Sequence, residues 1–334
     1  LKNKDGLLER PSFRPLPKGF VLAKPKKQDQ YEEEVIYKLE KEGNLIITRK
    51  RDGFKLFAVK ANGAWTIYTD GINEVHCLDH VKKDLEKLKL PDQTILVGES
   101  VVDAFKDDIE NFQLVQSIMQ ANPKNAVEKQ KQFGFIRLML FGIVFLKGEC
   151  RITGSFEEQL KLIGKVLKGK RLKYVEELTV LKMSFDEAKK KVKKEKWEGL
   201  VLFAKNFSST YRLDGRSPSR PKGCYKWKPL YEDDFIVRGF ILKKDDSEKV
   251  KEVLLSQIDP KSSKEFDCGK FGLFAEATRK TLKDAKYPMV IQLEFEKRFK
   301  KTGKLRNARF MRFRLDKKPT DCVSGKSFSN PKFL

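Results

Sequence analysis

The chain has 334 residues, 40% of them hydrophobic and 11% aromatic, which leaves room for two cored domains and excludes a wholly disordered basic tail. Lys and Arg number 71 against 47 Asp and Glu, a formal charge of +24 that internal pairing cannot absorb, so much of it faces outward and attracts a polyanion, nucleic acid first. The longest apolar run, Phe135 to Leu146, is interrupted by Arg137 and falls well short of the ~20 residues that span a bilayer, so no membrane segment is expected.

The opening Leu-Lys-Asn-Lys-Asp has no apolar core of the secretory kind, and five widely spaced cysteines suggest neither a disulfide framework nor a CxxC metal site. An intracellular, reducing location is expected, in cytoplasm, nucleoid or nucleus. Residues 1–30 mix Pro, Lys and Phe without period and are expected to form an extended basic arm on the surface or on a partner. From Leu45, β-prone runs at Leu45 to Arg51, Phe54 to Lys60 and Trp65 to Thr69 are divided by Asp52-Gly53 and Asn62-Gly63. Both dipeptides favour the positive φ of tight hairpins, which predicts an antiparallel meander. His76 and His80, four apart, lack a third ligand at metal spacing and read as structural. Asp79 to Leu90 carries Val81, Leu85 and Leu88 at helical spacing before Pro91, and a strand, Thr94 to Val102, follows.

Residues 106–131 read as helix and loop, and Phe135 to Leu146 as a buried strand or strand pair. Ser155 with Glu158, and Ser184 with Glu187, form capping boxes that open two helices. Lysines 189–191 and 193–194 on the second read as a solvated face. Strands Gly199–Ala204 and Tyr225–Lys228 precede an acidic break at Pro229–Asp234, the expected domain boundary. Beyond it, Phe235–Leu242, Met289–Phe295 and Arg309–Leu315 read as strands and Ser247–Gln257 as a helix, the content of a small β-barrel.

The chemistry concentrates at Thr48-Arg49-Lys50-Arg51-Asp52-Gly53-Phe54-Lys55. Alternation puts Thr48 and Lys50 on one strand face, with Lys50 near the strand's end. A lysine there can act as a nucleophile if neighbouring positive charge, a metal ion or desolvation frees its lone pair. Lys226 and Lys228, two apart on a strand, could supply that field and grip phosphate. Alone, K-x-D-G is short, and a plain basic hairpin would also account for it.

It does not stand alone. Gly98-Glu99, Phe141-Gly142-Ile143, Glu198-Gly199-Leu200-Val201, Lys226-Trp227-Lys228-Pro229 and Arg309-Phe310-Met311-Arg312-Phe313-Arg314-Leu315-Asp316-Lys317 follow in that order. With the tract Tyr211 to Pro229, this succession resembles the ATP-dependent DNA ligases, members of the covalent nucleotidyltransferase family, over residues 45 to 320. The resemblance implies an α+β chain. A nucleotidyltransferase (ATP-grasp-like ligase) domain of antiparallel sheets and helices, residues 31–230, would precede an OB-fold β-barrel domain, residues 231–324, and a tail, residues 325–334.

By the same resemblance, Lys50 would attack the α-phosphate of ATP to form lysyl-AMP, with Lys226 and Lys228 neutralising that phosphate. Glu99 and Glu198 would hold Mg²⁺, with Glu99 also near the ribose hydroxyls. Phe141 would stack on adenine, Thr48 would read the purine edge, and Asp52 would lie near the 3′-OH of a nick. Lys55 stands where many relatives have arginine, keeping the charge but losing the planar fork. Arg314, Asp316 and Lys317 would orient pyrophosphate from a mobile second domain, while Arg309 and Arg312 could be structural or phosphate contacts.

Three further positions depart from the pattern. Thr69-Asp70-Gly71 replaces a Ser-Arg that helps bind the 5′-phosphate, Val97 replaces an aspartate, and Phe203 replaces a lysine for which Lys205 could compensate. The expected partner is nicked duplex DNA, bound by a monomer without a predicted protein partner. The rival readings are an RNA ligase, a capping guanylyltransferase of the same superfamily, and a non-catalytic basic nucleic-acid-binding protein.

Overall fold

The computed structural model describes residues 12, 13 and 15–334, so the expected arm lies outside the described residues over its first eleven positions and at Arg14. The chain divides after Lys228 into two units. The first holds β1 (Val21–Leu22), α1 (Glu34–Lys41), β2 (Leu45–Lys50), β3 (Phe54–Ala61), β4 (Ala64–Thr69), α2 (Asp79–Glu86), β5 (Thr94–Val101), α3 (Asp108–Met119) and α4 (Pro123–Phe133). It continues through β6 (Arg137–Leu146), β7 (Glu149–Cys150), α5 (Phe156–Leu167), β8 (Val175–Glu177), α6 (Phe185–Glu195), β9 (Gly199–Ala204), β10 (Tyr211–Arg212) and β11 (Cys224–Trp227).

Two sheets organise this unit. One has three strands in the order β11-β9-β2; the other contains β4-β3-β5-β6-β7, with β8 added alongside β6. All the pairings are antiparallel except β6 with β8. The small sheet turns Ile47, Leu200, Leu202, Tyr225 and Trp227 towards Phe185, Ala188 and Val192 of α6 and Ile36 of α1, forming one buried core. The alternate residues Thr48, Lys50 and Val201 are thereby left on the opposite face, with Lys226 across from Val201. Both capping boxes form, with Ser155 and Ser184 each accepting from the main chain of the glutamate three residues on. These caps fix the N-termini of α5 and α6.

The meander reading holds only at its second turn. Asn62 and Gly63 have φ of 51° and 75° and join β3 to β4 as a hairpin. Asp52-Gly53 instead carries the chain from one sheet to the other, because β2 pairs with β9 and β3 with β5. Gly53 is required there for close approach: a Cβ would sit 1.9 Å from the Ser100 carbonyl oxygen.

The expected surface arm is also corrected. Leu16, Phe20 and Leu22 are buried, and Phe20 packs edge-on against Phe57 and stacks on Tyr211. Burying a side chain of that size contributes about 2 kcal/mol, enough to hold an aperiodic segment in place.

The second unit holds β12 (Tyr231–Leu242), β13 (Val250–Ile258), β14 (Glu265–Phe271), α7 (Glu276–Asp284), β15 (Met289–Phe295), β16 (Lys297–Arg298), β17 (Leu305–Arg306) and β18 (Arg309–Phe313). The helix expected at Ser247–Gln257 is absent there; the segment is β13, and α7 lies further on. Its apolar spacing misled because of a bulge. Ile241 pairs with Glu252 but Leu242 pairs with Val250, so Lys251 is an extra residue and Val250 and Val253 share the buried face. A bulged strand thus reproduces a three-residue interval that otherwise signals a helix. Five strands in the order β14-β13-β12-β15-β18 form an antiparallel sheet around Phe235, Phe266, Ile291 and Leu293. Among the described residues β14 and β18 do not pair with each other, so the sheet is open rather than a closed barrel. The whole is an α+β chain.

Candidate active site

Lys50 is the last residue of β2 and pairs in register with Gly199; Thr48 pairs with Val201, and Val201 with Lys226. Two rows of side chains therefore cross the small sheet, one carrying Thr48 and Lys226, the next Lys50 and, just past β11, Lys228. Gly199 lets them crowd together, since a Cβ at that position would lie 2.2 Å from the Trp227 carbonyl oxygen.

The second wall comes from the larger sheet. Lys55 on β3 pairs with Glu99 on β5, and Glu99 with Met139 on β6. Phe141 is the extra residue of a bulge in β6, because Val97 pairs with Gly142 while Gly98 pairs with Leu140. Bulges re-aim side chains in this way. Thr48, Lys50, Lys55, Glu99, Phe141 and Lys226 all line one cavity of about 380 Å³.

The cavity is graded. At one end Phe156 and Phe203 stack with ring centroids 3.6 Å apart and planes 11° from parallel, beside Phe207 and Cys224. Phe203 thus serves an apolar end at the position where the resemblance suggested lysine, while Lys205 is exposed and does not line the cavity. At the other end charge dominates. Lys50 Nζ lies 2.6 Å from Glu198 Oε2, and Lys228 Nζ lies 2.9 Å from Glu198 Oε1.

Burial alone would push the Glu198 carboxyl up, but the two ammonium groups outweigh it and hold the carboxyl below its ordinary range. Burial alone would lower the Lys50 pKa; Glu198, Glu99 and Asp52 outweigh that and raise it. The amine is therefore stored as a charged ammonium. Glu99 is pushed up to about 7, by burial first and then by Glu198 and Asp52 against the opposing pull of Lys50. Asp52 is buried within this field.

Thr48 donates its hydroxyl proton to the Val201 carbonyl at 2.9 Å, which leaves its oxygen as an acceptor towards the cavity. Asp70, the departure from arginine, receives Lys55 Nζ at 2.5 Å and Lys24 Nζ at 2.7 Å on its two oxygens, and all three residues line the cavity. Arg314 and Lys317 lie in the second unit, where both pair with Asp234, and Arg314 also binds Asp316 at 2.8 Å. Arg312 donates to Gln292 at 2.8 Å and Arg309 approaches Glu294 at 3.8 Å. His80 Nε2 lies 2.8 Å from the Ile136 carbonyl between the rings of Phe135 and Tyr174, a structural setting.

Sequence reasoning missed Asp108, Arg49 and Arg220. Arg49 and Arg220 line the cavity, and Asp108 receives Arg49 at 2.5 Å. Asp107-Asp108 carried only the signal of acidic residues at a helix start, and nothing local marks the partners of Arg49.

Among the described residues no group of three or more His, Cys, Asp or Glu could hold a metal ion on its own. Mg²⁺ seldom needs one, since it keeps several waters and takes one or two carboxylates plus substrate phosphates. Glu99 and Glu198 fit that requirement as hard oxygen donors, and the burial that first pushes Glu99 up is a cost that a bound cation would offset.

The sequence matches no family model and no curated protein. Solved structures do match. One from work titled "DNA binding with a minimal scaffold: Structure-function analysis of Lig E DNA ligases" has a TM-score of 0.64 at 17% identity, covering 88% of this chain and 99% of that one. Another, "Pmar-Lig_Pre.", has a TM-score of 0.67 at 16% identity, covering 88% of this chain and 67% of that one. Identities this low carry the shared architecture alone, and the chain has the fold of a solved DNA ligase.

Proposed function

We propose that the chain is an ATP-dependent DNA ligase, sealing 3′-OH/5′-phosphate nicks through lysyl-AMP, 5′-adenylated DNA and release of AMP. One observation carries the reading: within this fold, Lys50, Glu99 and Lys226 line a cavity beside the Glu198 carboxylate that pairs with Lys50 and Lys228, and the stacked Phe156 and Phe203 line the same cavity with Phe203 two side-chain rows further along the small sheet. A nucleotide has that same polarity, an aromatic base at one end and phosphates at the other.

In this reading the base enters between the apolar end and Phe141, and Thr48 accepts a hydrogen bond from the purine edge. Lys226 and Lys228 neutralise the α-phosphate. The Lys50 amine attacks that phosphorus; the nitrogen–phosphorus bond forms, the bond to the bridging oxygen breaks, and pyrophosphate leaves. Before attack Nζ must release Glu198 and pass one proton to solvent water, and a second proton leaves the nitrogen for water as the phosphoramidate forms. Mg²⁺ bound by Glu99 and Glu198 would supply the positive charge that shields the phosphates and lowers the proton affinity of the amine. Asp52 sits near the incoming 3′-OH in the last step, and Lys55 contributes charge near the phosphates.

Residues 31–230 would be the nucleotidyltransferase domain and residues 231–324 an OB-fold, whose Arg314 and Lys317 would exchange Asp234 for the departing pyrophosphate. The partner would be nicked duplex DNA, bound by a monomer inside the cell.

The test is to incubate the protein with α-labelled ATP and Mg²⁺, then add nicked duplexes with DNA or RNA on either side. Label from ATP, its loss in Lys50→Ala and closure of the DNA nick are expected. Preference for GTP would indicate capping chemistry, and label without DNA closure an RNA ligase. A wild-type chain that takes no label would overturn the reading.

A further inference from the structure

Asp108 is the first residue of α3 and is 2% exposed. Its Oδ1 accepts from Arg49 Nη2 at 2.5 Å, and its Oδ2 accepts from the main-chain N–H of Glu198 at 2.8 Å. Arg49 is the immediate neighbour of Lys50 on β2, and Glu198 is the carboxylate that holds Lys50. One carboxylate thus ties together the two residues flanking the reacting amine.

The tie is rigid at its origin. Asn111 accepts from the main chain of Ala104 at 3.0 Å and of Phe105 at 2.9 Å, and donates to the Phe105 carbonyl at 2.8 Å, which closes the turn between β5 and α3. Ile109, Leu114, Val115 and Ile118 bury the inner face of the helix. Since β5 also carries Glu99, the helix start is fixed relative to the second wall of the cavity.

The Arg49 guanidinium lies over the Trp197 ring at 4.5 Å, and its buried Nε has no hydrogen-bond partner, so its polar anchorage runs through Asp108. Burial lowers the arginine's pKa and Asp108 opposes that, as expected where a half-buried guanidinium leans on a buried carboxylate.

We propose that Asp108 is a positioning residue for adenylyl transfer, setting Lys50 and Glu198 against the α-phosphate by gripping Arg49 and the Glu198 main chain. The inference rests on the function proposed above. It concerns the first chemical step only, because a nick that already carries 5′-AMP closes without attack by Lys50. A group that merely holds the fold would affect both steps alike.

The experiment compares wild type, Asp108→Ala and Asp108→Asn in single-turnover labelling with α-labelled ATP, and in closure of a chemically pre-adenylated nick, per folded molecule. Misplacing a reacting group by about 1 Å costs on the order of 10²-fold, so Asp108→Ala should slow labelling at saturating ATP by about that factor. The ATP concentration for half-maximal rate and the closure of the pre-adenylated nick should each change by less than about threefold. Asp108→Asn is isosteric and keeps one acceptor, so it should fall between the two and remain informative if the alanine variant does not fold. Equal slowing of both steps, or labelling unchanged in both variants, would overturn the inference. Absence of label in wild type would overturn the function and this inference with it, and would be seen before any variant is made.

Discussion

Lys50 Nζ rests 2.6 Å from Glu198 Oε2, so in the free chain this lysine is an ammonium paired with a buried carboxylate. Glu198 serves Lys228 from its other oxygen. Removing one member of such a buried cluster strands the charge on the others. Glu198→Ala should therefore lower the free energy of unfolding by about 3 kcal/mol in urea titrations, and should also abolish labelling. Lys50→Ala should abolish labelling while leaving the Lys228–Glu198 pair in place; a variant that still took label at another residue would refute the role of Lys50.

Asp84 offers a stability test away from the cavity. Its Oδ2 accepts from the main-chain N–H groups of Lys173 and Tyr174, both at 2.6 Å, and its Oδ1 pairs with Lys87 at 2.6 Å. Burial alone would raise its pKa; Lys87 and the two main-chain donors outweigh that and lower it. A carboxyl depressed in the folded state stabilises above its ordinary titration range and loses that contribution as pH falls through its folded pKa. Asp84→Ala should cost about 2 kcal/mol at pH 7, with the gap from wild type narrowing below about pH 4.

Gly53→Ala should destabilise by about 2 kcal/mol or more, because the added methyl meets the Ser100 carbonyl oxygen at 1.9 Å and one sheet must shift. Thermal unfolding checks the stability. Labelling should slow as well, since the shift separates Lys50 from Glu99.

Phe141→Ala should raise the ATP concentration needed for half-maximal labelling by about tenfold, the loss of one stacking partner worth roughly 1–1.5 kcal/mol. The maximal rate should change less.

Affinity for nicked duplex, read by fluorescence anisotropy, should fall steeply with salt. Each phosphate neutralised contributes about 0.9 to the slope of log affinity against log salt, so six contacts would cost about 10³-fold between 50 and 200 mM. A flat response would contradict the role assigned to the surplus charge.

Capping boxes, the Asn-Gly hairpin and helical spacing in α2 were legible because each is a local pattern with a local cause. The candidate site residues form an ordered succession in the sequence, and six of them line one cavity. What stayed hidden was long-range. The bulges at Phe141 and Lys251 exist only against a partner strand, so alternation could neither aim the phenyl ring nor recognise β13. Asp52-Gly53 has hairpin composition, but pairing of β2 with β9 overrode it. Asp108 was invisible because both of its partners are distant in sequence.

Only Arg51, Asp52 and Gly53 separate the strand bearing Lys50 from the strand that pairs with Glu99. A leash this short makes the span from amine to opposing carboxylate a matter of covalent connectivity more than of packing. Core substitutions elsewhere can loosen the molecule without changing that span, whereas a single inserted residue at the leash would change it directly.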